Sequence, residues 1–153
     1  MRWLEHKVPP PIVGALVGVA MWAVAHFSPE LPIERPLRIA LALVVAGVGV
    51  AFVALGGIAF RRARTTTNPL KPEAASSLVI AGVYRYTRNP MYVGVACVLV
   101  GWAVYRGSLP AFVGPVVFVL FITRFQIIPE ERVLSAKFGP KFAEYQAKVR
   151  RWL

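Results

Sequence analysis

The stretch "IALALVVAGVGVAFVALGGIAF", residues 39–60, is an unbroken apolar run without a single charged or strongly polar side chain. A membrane-spanning helix needs roughly 17–25 such residues, so this run is long enough to cross a bilayer. The rest of the chain has the same character: 57% of its 153 residues are hydrophobic and 16% are charged. Because soluble domains average about 25% charged residues, the composition predicts an integral membrane protein.

Three further apolar blocks occupy about residues 12–27, 91–105 and 109–128. The blocks at 12–27 and 91–105 are short and need flanking residues or a locally thin bilayer to span. We predict one all-α domain over residues 1–153, a bundle of four transmembrane helices. A three-span or re-entrant arrangement is the alternative, and the first block could instead be a cleaved signal peptide.

The basic residues predict the orientation of this bundle. Fifteen of the eighteen lysines and arginines lie near the N-terminus, between the second and third blocks, or from Arg124 onward, whereas Arg35, Arg38 and Arg106 lie in the other two loops. The positive-inside rule therefore predicts a multi-pass protein of the cytoplasmic (inner) membrane with both termini in the cytoplasm. Anionic lipid accounts for the net charge of +11 without a nucleic acid partner.

Two polar segments complete the organisation of the chain. The stretch 65–77 carries two prolines and predicts extended or turn-like structure, whereas the mixed apolar and aromatic residues of 77–90 predict packing on the protein or in the interface. Apolar residues of the cytoplasmic tail, 129–153, recur at helical spacing. They predict an amphipathic helix that breaks at Gly139 and restarts at Pro140.

The motif "RNPMYVG", residues 88–94, marks the start of the third helix. Asparagine is a preferred N-cap residue and proline is favoured at the first helical position, so we expect Asn89 to cap a helix that begins at Pro90. A helix N-terminus beside Arg88 also suits an anion such as a carboxylate or a phosphate. The alternative is capping and membrane anchoring alone.

The motif "RFQIIPEERVL", residues 124–134, places an arginine in the last apolar block and two adjacent glutamates at its exit. Charges inside a membrane are costly and usually have a partner or a function. The spacing of seven puts Arg124 and Glu131 near one helical face, and the pair Glu130–Glu131 could hold a cation such as an ammonium group. The alternative is a snorkelling arginine with two solvated glutamates.

Several kinds of site have no sequence signature here. The chain lacks a glycine-rich dinucleotide or phosphate loop, a nucleophile elbow and a Cys/His cluster, so we predict no metal. Its one cysteine, Cys97, cannot form a disulfide within the chain.

The stretches "GVYRYTRNPMYVG" (82–94) and "EERVLSAKFGPKFAEYQAKV" (130–149) together resemble one family. It is the integral-membrane methyltransferase family that includes isoprenylcysteine carboxyl methyltransferase and phosphatidylethanolamine N-methyltransferase. The resemblance covers roughly residues 65–152, and it implies a cytoplasm-facing S-adenosylmethionine site built from the third and fourth spans and the tail. S-adenosylhomocysteine would be the product.

The resemblance also implies roles for particular residues. Glu131, with Glu130 as a second candidate, would bind the cofactor's α-ammonium group, and the catalytic residue is open, with Arg124 and Glu131 as candidates. The residues implied in cofactor binding are Tyr84, Arg88, Asn89, Pro90, Tyr92, Gly94, Glu130, Glu131 and Tyr145.

The chain departs from the family pattern at Asn89, where the family has a histidine. Because asparagine cannot act as a base near pH 7, this departure favours an acceptor that needs no deprotonation, such as a carboxylate. Isoprenylcysteine carboxyl O-methylation is the preferred expectation. A phospholipid amine acceptor and a non-catalytic membrane scaffold are the alternatives, and the sequence does not determine the oligomeric state.

Overall fold

The computed structural model describes Glu5 and residues 7–64 and 77–153. Within those residues every regular element is helical, which confirms the all-α prediction. The six α-helices are α1 (Pro10–His26), α2 (Arg35–Arg62), α3 (Pro90–Arg106), α4 (Val113–Ile122), α5 (Ile128–Phe138) and α6 (Pro140–Lys148). The extended structure predicted for 65–77 falls almost wholly on residues 65–76, outside the described residues.

Two helical stretches are long and apolar enough to cross a membrane, among the residues that the structure describes. They are α2, with 28 residues, and the continuous helical stretch Pro110–Phe138, with 29 residues. The helices α1 and α3 are apolar but have 17 residues each. Each predicted span thus corresponds to a helix, and passage of all four through the bilayer stays a prediction.

Glycines bring α2 and α3 into close antiparallel contact. A Cβ atom on Gly94 would lie 2.5 Å from the carbonyl oxygen of Gly49, and one on Gly101 would lie 2.9 Å from that of Ala42. Small residues at such positions let helix backbones approach closely, which is the usual basis of helix association in lipid. This contact fixes α3, and therefore the motif at its start, against α2.

The helices α1 and α4 pack on the other side of α3. Gly14 contacts Val95 and Gly18 contacts Leu99, so α1 runs parallel to α3. Phe118 of α4 is fully buried in the core formed by these helices.

The last two helices follow from α4 without a loop. A π-helical segment, Thr123–Ile127, joins α4 to α5, and insertions of this kind often occur at functional sites. Gly139, at φ +50°, ends α5, and Pro140 begins α6. This confirms the break predicted for the tail.

The outward faces of the long helices are apolar. Leu43 is 69% exposed on α2, and Leu120 is 65% exposed on α4. Contiguous exposed apolar surface on this scale marks contact with lipid or with another protein.

Candidate functional site

The start of α3 is tied to the backbone of the C-terminal segment. The Arg88 amide donates to the carbonyl of Arg150 at 2.9 Å, and the Asn89 side-chain amide donates to the carbonyl of Arg151 at 2.9 Å. The fully buried Thr87 hydroxyl donates to the same Arg151 carbonyl at 3.3 Å. The end of the chain therefore closes over the RNPMYVG motif.

The prediction that the Asn89 side chain caps α3 is wrong. The helix does begin at Pro90, as predicted, but the Asn89 side chain makes no capping hydrogen bond. Its amide is instead directed to the Arg151 carbonyl. The physical reason is that the Arg151 carbonyl holds the Asn89 side chain, whereas the Tyr92 and Val93 N–H groups of the first turn donate to the Asn89 backbone carbonyl at 3.0 Å.

Glu131 lies between two arginines. Its Oε1 accepts from Arg88 at 2.8 Å, and its two oxygens accept from Nε and Nη2 of Arg151 at 3.0 and 2.7 Å. The side chains of Arg88 and Glu131 are only 12% and 13% exposed. Hydrogen bonds and charge from Glu131 raise the pKa of Arg151. The carboxylate is thus neutralised by two guanidinium groups.

Arg88 also binds α6 and the residues after it. Its Nη1 donates to the carbonyls of Gln146 and Val149. One guanidinium group therefore joins the start of α3, the first turn of α5 and the end of α6. The family resemblance implied a site built from these segments, and their contact is consistent with it.

Glu130 has a different environment from Glu131. The Tyr92 hydroxyl and the Gln126 side-chain amide both donate to its Oε1, at 3.0 and 2.9 Å. Within the described residues no lysine or arginine forms an ion pair with Glu130. The two adjacent glutamates therefore differ, because charged donors hold Glu131 and uncharged donors hold Glu130.

Tyr84 and Tyr145 hold α6 against the loop before α3. The Tyr145 hydroxyl donates to the backbone carbonyl of Tyr84 at 2.7 Å, and both side chains are buried. Burial raises the pKa of each phenol above its usual value, so both hydroxyl groups stay protonated. Val79 is also buried, which confirms that the segment 77–90 packs on the protein.

Two residues expected in the pocket lie elsewhere. Gly94 faces α2, where its contact with Gly49 leaves no room for a side chain. Arg124 is 48% exposed and pairs with Glu5 at 3.4 Å rather than with Glu131. The π-helical segment that follows Ile122 changes the helical register, so a spacing of seven does not bring Arg124 and Glu131 together.

Sequence reasoning missed three members of the cluster, Gln126, Arg151 and Thr87. Gln126 had a usable signal, because it is a polar residue four positions before Glu130 in an apolar helix. No local sequence pattern pointed to Arg151 or Thr87, because their contacts depend on the path of the C-terminal residues in the fold. Trp152 belongs to the same closure: its indole donates to the Thr123 hydroxyl at 3.1 Å.

The assembled cluster contains two cationic side chains, Arg88 and Arg151, and two carboxylates, Glu130 and Glu131. It can therefore meet both charges of a zwitterion with groups of opposite sign. Over the described part of the chain no group of His, Cys, Asp and Glu residues has the arrangement of a metal site.

Comparisons with known proteins identify the family of the chain. The family model described as phospholipid methyltransferase matches residues 37–141. An uncharacterized protein of Haemophilus influenzae is 41% identical over 63 residues, which is 41% of this chain and 100% of that protein. No solved structure matches.

The matched residues 37–141 contain the RNPMYVG motif and both glutamates, and they make up more than half of the chain. The long apolar helices and the family model both indicate a membrane methyltransferase. The chain belongs to the phospholipid methyltransferase family, a family of membrane methyltransferases that act on lipid.

Proposed function

We propose that this protein uses S-adenosylmethionine to methylate a lipid or lipophilic acceptor at the cytoplasmic face of the membrane. The observation that carries the proposal is the cluster of Arg88, Arg151, Glu130 and Glu131 at the start of α3. The cofactor has a carboxylate, an ammonium group and a sulfonium, so both signs of charge in the cluster have a counterpart. When bound, it would supply the methyl group as an electrophilic carbon on sulfur.

Glu130 is the best candidate for contact with the positive charge of the cofactor. Tyr92 and Gln126 orient its carboxylate by neutral hydrogen bonds, so a bound cation would displace no existing ion pair. A carboxylate in a half-buried, weakly solvated position attracts a cation more strongly than one in water. The role that the sequence predicted for Glu131 would instead require Arg151 to release one carboxylate oxygen.

Glu131 then acts as a positioning residue. It fixes Arg88 through Nη2, and the Nε of Arg88, which has no partner among the described residues, would donate to the carboxylate of the cofactor beside the start of α3. Four other residues of the predicted pocket, Tyr84, Asn89, Pro90 and Tyr145, hold the loop, the helix start and α6 in place. Gly94 and Arg124 are left out of the proposed pocket because of their positions.

The proposed acceptor is the carboxylate of a prenylated cysteine. Such a carboxylate is already ionised at neutral pH and needs no base, which suits a site with asparagine at position 89. A phospholipid amine is the alternative acceptor, and it would have to lose its proton to a group such as Glu130. The two products differ chemically: base hydrolyses a methyl ester and leaves a methylated amine intact.

Calorimetric binding of S-adenosylmethionine and S-adenosylhomocysteine to the detergent-purified protein tests the cofactor assignment. We expect Glu130→Gln, which keeps the shape and the hydrogen bonds, to weaken binding of S-adenosylmethionine by about tenfold or more, since a charged hydrogen bond contributes about 1.5–3 kcal/mol. The matched control is Glu144→Gln, because Glu144 is 68% exposed and pairs only with Lys148 among the described residues.

Glu131→Gln completes the series. It leaves Arg88 and Arg151 without their counter-charge, so we expect a loss of stability of about 3 kcal/mol in addition to weaker binding. Thermal unfolding of each variant separates the two effects. Unchanged binding by a folded Glu130→Gln variant would refute the assignment of Glu130. Absence of binding by the wild type in detergent and in nanodiscs would favour the non-catalytic scaffold.

A further inference from the structure

An apolar groove of about 870 Å³ lies between α1 and α2, with α3 as its floor. This volume is within the roughly 300–1,000 Å³ typical of small-molecule pockets. Small residues form the walls and aromatic residues lie at one end; its lining includes Gly18, Ala42, Ala46, Trp22, Trp102 and Tyr105. None of the residues Arg88, Arg151, Glu130 and Glu131 of the cluster at the start of α3 lines this groove.

The position of the groove along α3 restricts its occupant. Its floor extends from Val95 to Tyr105, which is about 15 Å at 1.5 Å per residue. That length is half of a hydrocarbon core of about 30 Å, so the groove suits the acyl chain of one leaflet. The α2 lining, Ile39 to Ala46, and the aromatic residues lie at the end of the bundle away from the start of α3, so most of the groove faces the opposite leaflet, and Pro11 extends it toward the start of α1.

Two arginines flank the aromatic end of the groove. Arg38 directly precedes Ile39, which lines the groove, and Arg106 directly follows Tyr105. The Nε atoms of both arginines are buried and have no hydrogen-bond partner among the described residues. Each guanidinium group therefore has one buried N–H donor without a partner among the described residues.

The two arginines are held in place by protein contacts. The Arg38 side chain is only 11% exposed, packs against Gly107 and donates to Glu30 at 2.7 Å. The Arg106 guanidinium lies over the Trp102 ring, 6.0 Å from its centroid. Neighbouring Ser108 is fully buried, and its hydroxyl also lacks a partner among the described residues.

The turn after α3 joins these parts. Gly107, at φ +60°, accepts a hydrogen bond from the Leu31 amide at 2.6 Å, which fixes the loop between α1 and α2. A side chain on Gly107 would clash with Arg38. The hydrogen bond to Gly107 and the packing of Arg38 against this residue thus fix the arginine end of the groove.

We propose that this groove binds a phospholipid, with one acyl chain between α1 and α2 and the phosphate at Arg38 and Arg106. Arginine is suited to phosphate because its planar guanidinium can donate two parallel hydrogen bonds. The bound lipid is not the methyl acceptor, because its head group lies about 25 Å along α3 from the start of that helix.

Native mass spectrometry of the detergent-purified full chain tests the proposal with two probes of matched chains, dioleoylphosphatidylglycerol and dioleoylglycerol. The wild type should retain one phosphatidylglycerol, and dioleoylglycerol should bind at least about tenfold more weakly because it lacks the phosphate. Arg106→Gln and Arg38→Gln should each reduce retention of phosphatidylglycerol to a similar extent. The control Arg62→Gln removes an exposed charge at the other end of α2, and it should leave the retention of phosphatidylglycerol unchanged.

Equal binding of the two probes or unchanged retention by Arg106→Gln would overturn the proposal. Loss of phosphatidylglycerol in Glu130→Gln would also overturn it, because the lipid would then lie in the methyl-transfer site. Ala15→Phe fills the groove from an exposed position on α1, and it should reduce binding of both probes. If a folded Ala15→Phe variant binds both probes as the wild type does, the groove is not the binding site.

Discussion

Glu130 and Glu131 show how adjacent, identical side chains acquire different environments from their partners. Glu131 forms ion pairs with Arg88 and Arg151. Glu130 accepts hydrogen bonds from the uncharged side chains of Tyr92 and Gln126. A neutralised carboxylate supports a structure, whereas one with neutral partners can receive a cationic ligand. This difference underlies the proposed roles of the two residues.

At the same scale, Tyr145 should contribute stability through one hydrogen bond. Its hydroxyl donates to the Tyr84 carbonyl at 2.7 Å in a buried position. Tyr145→Phe leaves that carbonyl without its partner, so we expect a loss of about 1–2 kcal/mol in the free energy of unfolding, measured with denaturant in detergent. Tyr86→Phe is the control, because Tyr86 is 75% exposed. Equal stability of the two variants would contradict this account.

Sequence alone identified the residues of the cluster that stand in recognisable local patterns. Arg88 and Asn89 could be predicted from the start of a helix, and Glu130 and Glu131 from the rarity of acids in a basic chain. Arg151 could not be predicted, since its pairing with Glu131 depends on the path of the chain after α6. Local patterns identify residues, and long-range contacts decide their partners.

At the scale of elements, the contact between α2 and α3 depends on glycine. A Cβ atom on Gly94 would lie 2.5 Å from the Gly49 carbonyl oxygen and 3.0 Å from the Val53 amide nitrogen. Gly94→Leu should therefore force the helices apart and reduce the yield of folded protein, measured by size-exclusion chromatography in detergent. The matched control is Gly47→Leu on α2, where a Cβ atom would meet nothing within 4 Å. Normal folding of both variants would show that this contact is not required.

The C-terminal segment is the second element whose removal has a specific consequence. Deletion of residues 150–153 removes the carbonyls that accept from the Arg88 and Asn89 amides, and also the guanidinium group that pairs with Glu131. We expect faster hydrogen exchange at residues 88–93 and weaker cofactor binding. Deletion of the exposed Leu153 alone is the control. Unchanged exchange after the longer deletion would mean that the segment does not hold the start of α3.

The helix boundaries explain how much of the fold the sequence could provide. Apolar blocks predicted both ends of α1, α2 and α3 to within four residues, because hydrophobicity and helix length follow from composition. The fourth block, 109–128, extends beyond α4 at both ends, within the helical stretch Pro110–Phe138. The π-helical segment Thr123–Ile127 was not predicted, since a single inserted residue has no sequence signature. Because this segment was not foreseen, the prediction that Arg124 and Glu131 share a helical face was wrong, and Arg124 pairs with Glu5 instead.

At the scale of the whole molecule, the distribution of lysine and arginine predicts which ends face the cytoplasm. In a chain with Cys97→Ala, we expect Ser28→Cys, in the loop after α1, to react with a membrane-impermeant maleimide on intact cells. Glu144→Cys on α6 should react only after permeabilisation. Labelling of both positions from the same side would contradict the four-span topology.

The most direct test of the central claim is transfer of a radiolabelled methyl group from S-adenosylmethionine to lipid. The measurement uses the purified protein in nanodiscs that contain a prenylated cysteine substrate and phosphatidylethanolamine, with wild type, Glu130→Gln and Glu144→Gln compared. We predict label in the lipid extract for wild type and Glu144→Gln, and at least about a tenfold loss for a folded Glu130→Gln variant. Equal transfer by Glu130→Gln, or no transfer by the wild type to either acceptor, would contradict the account.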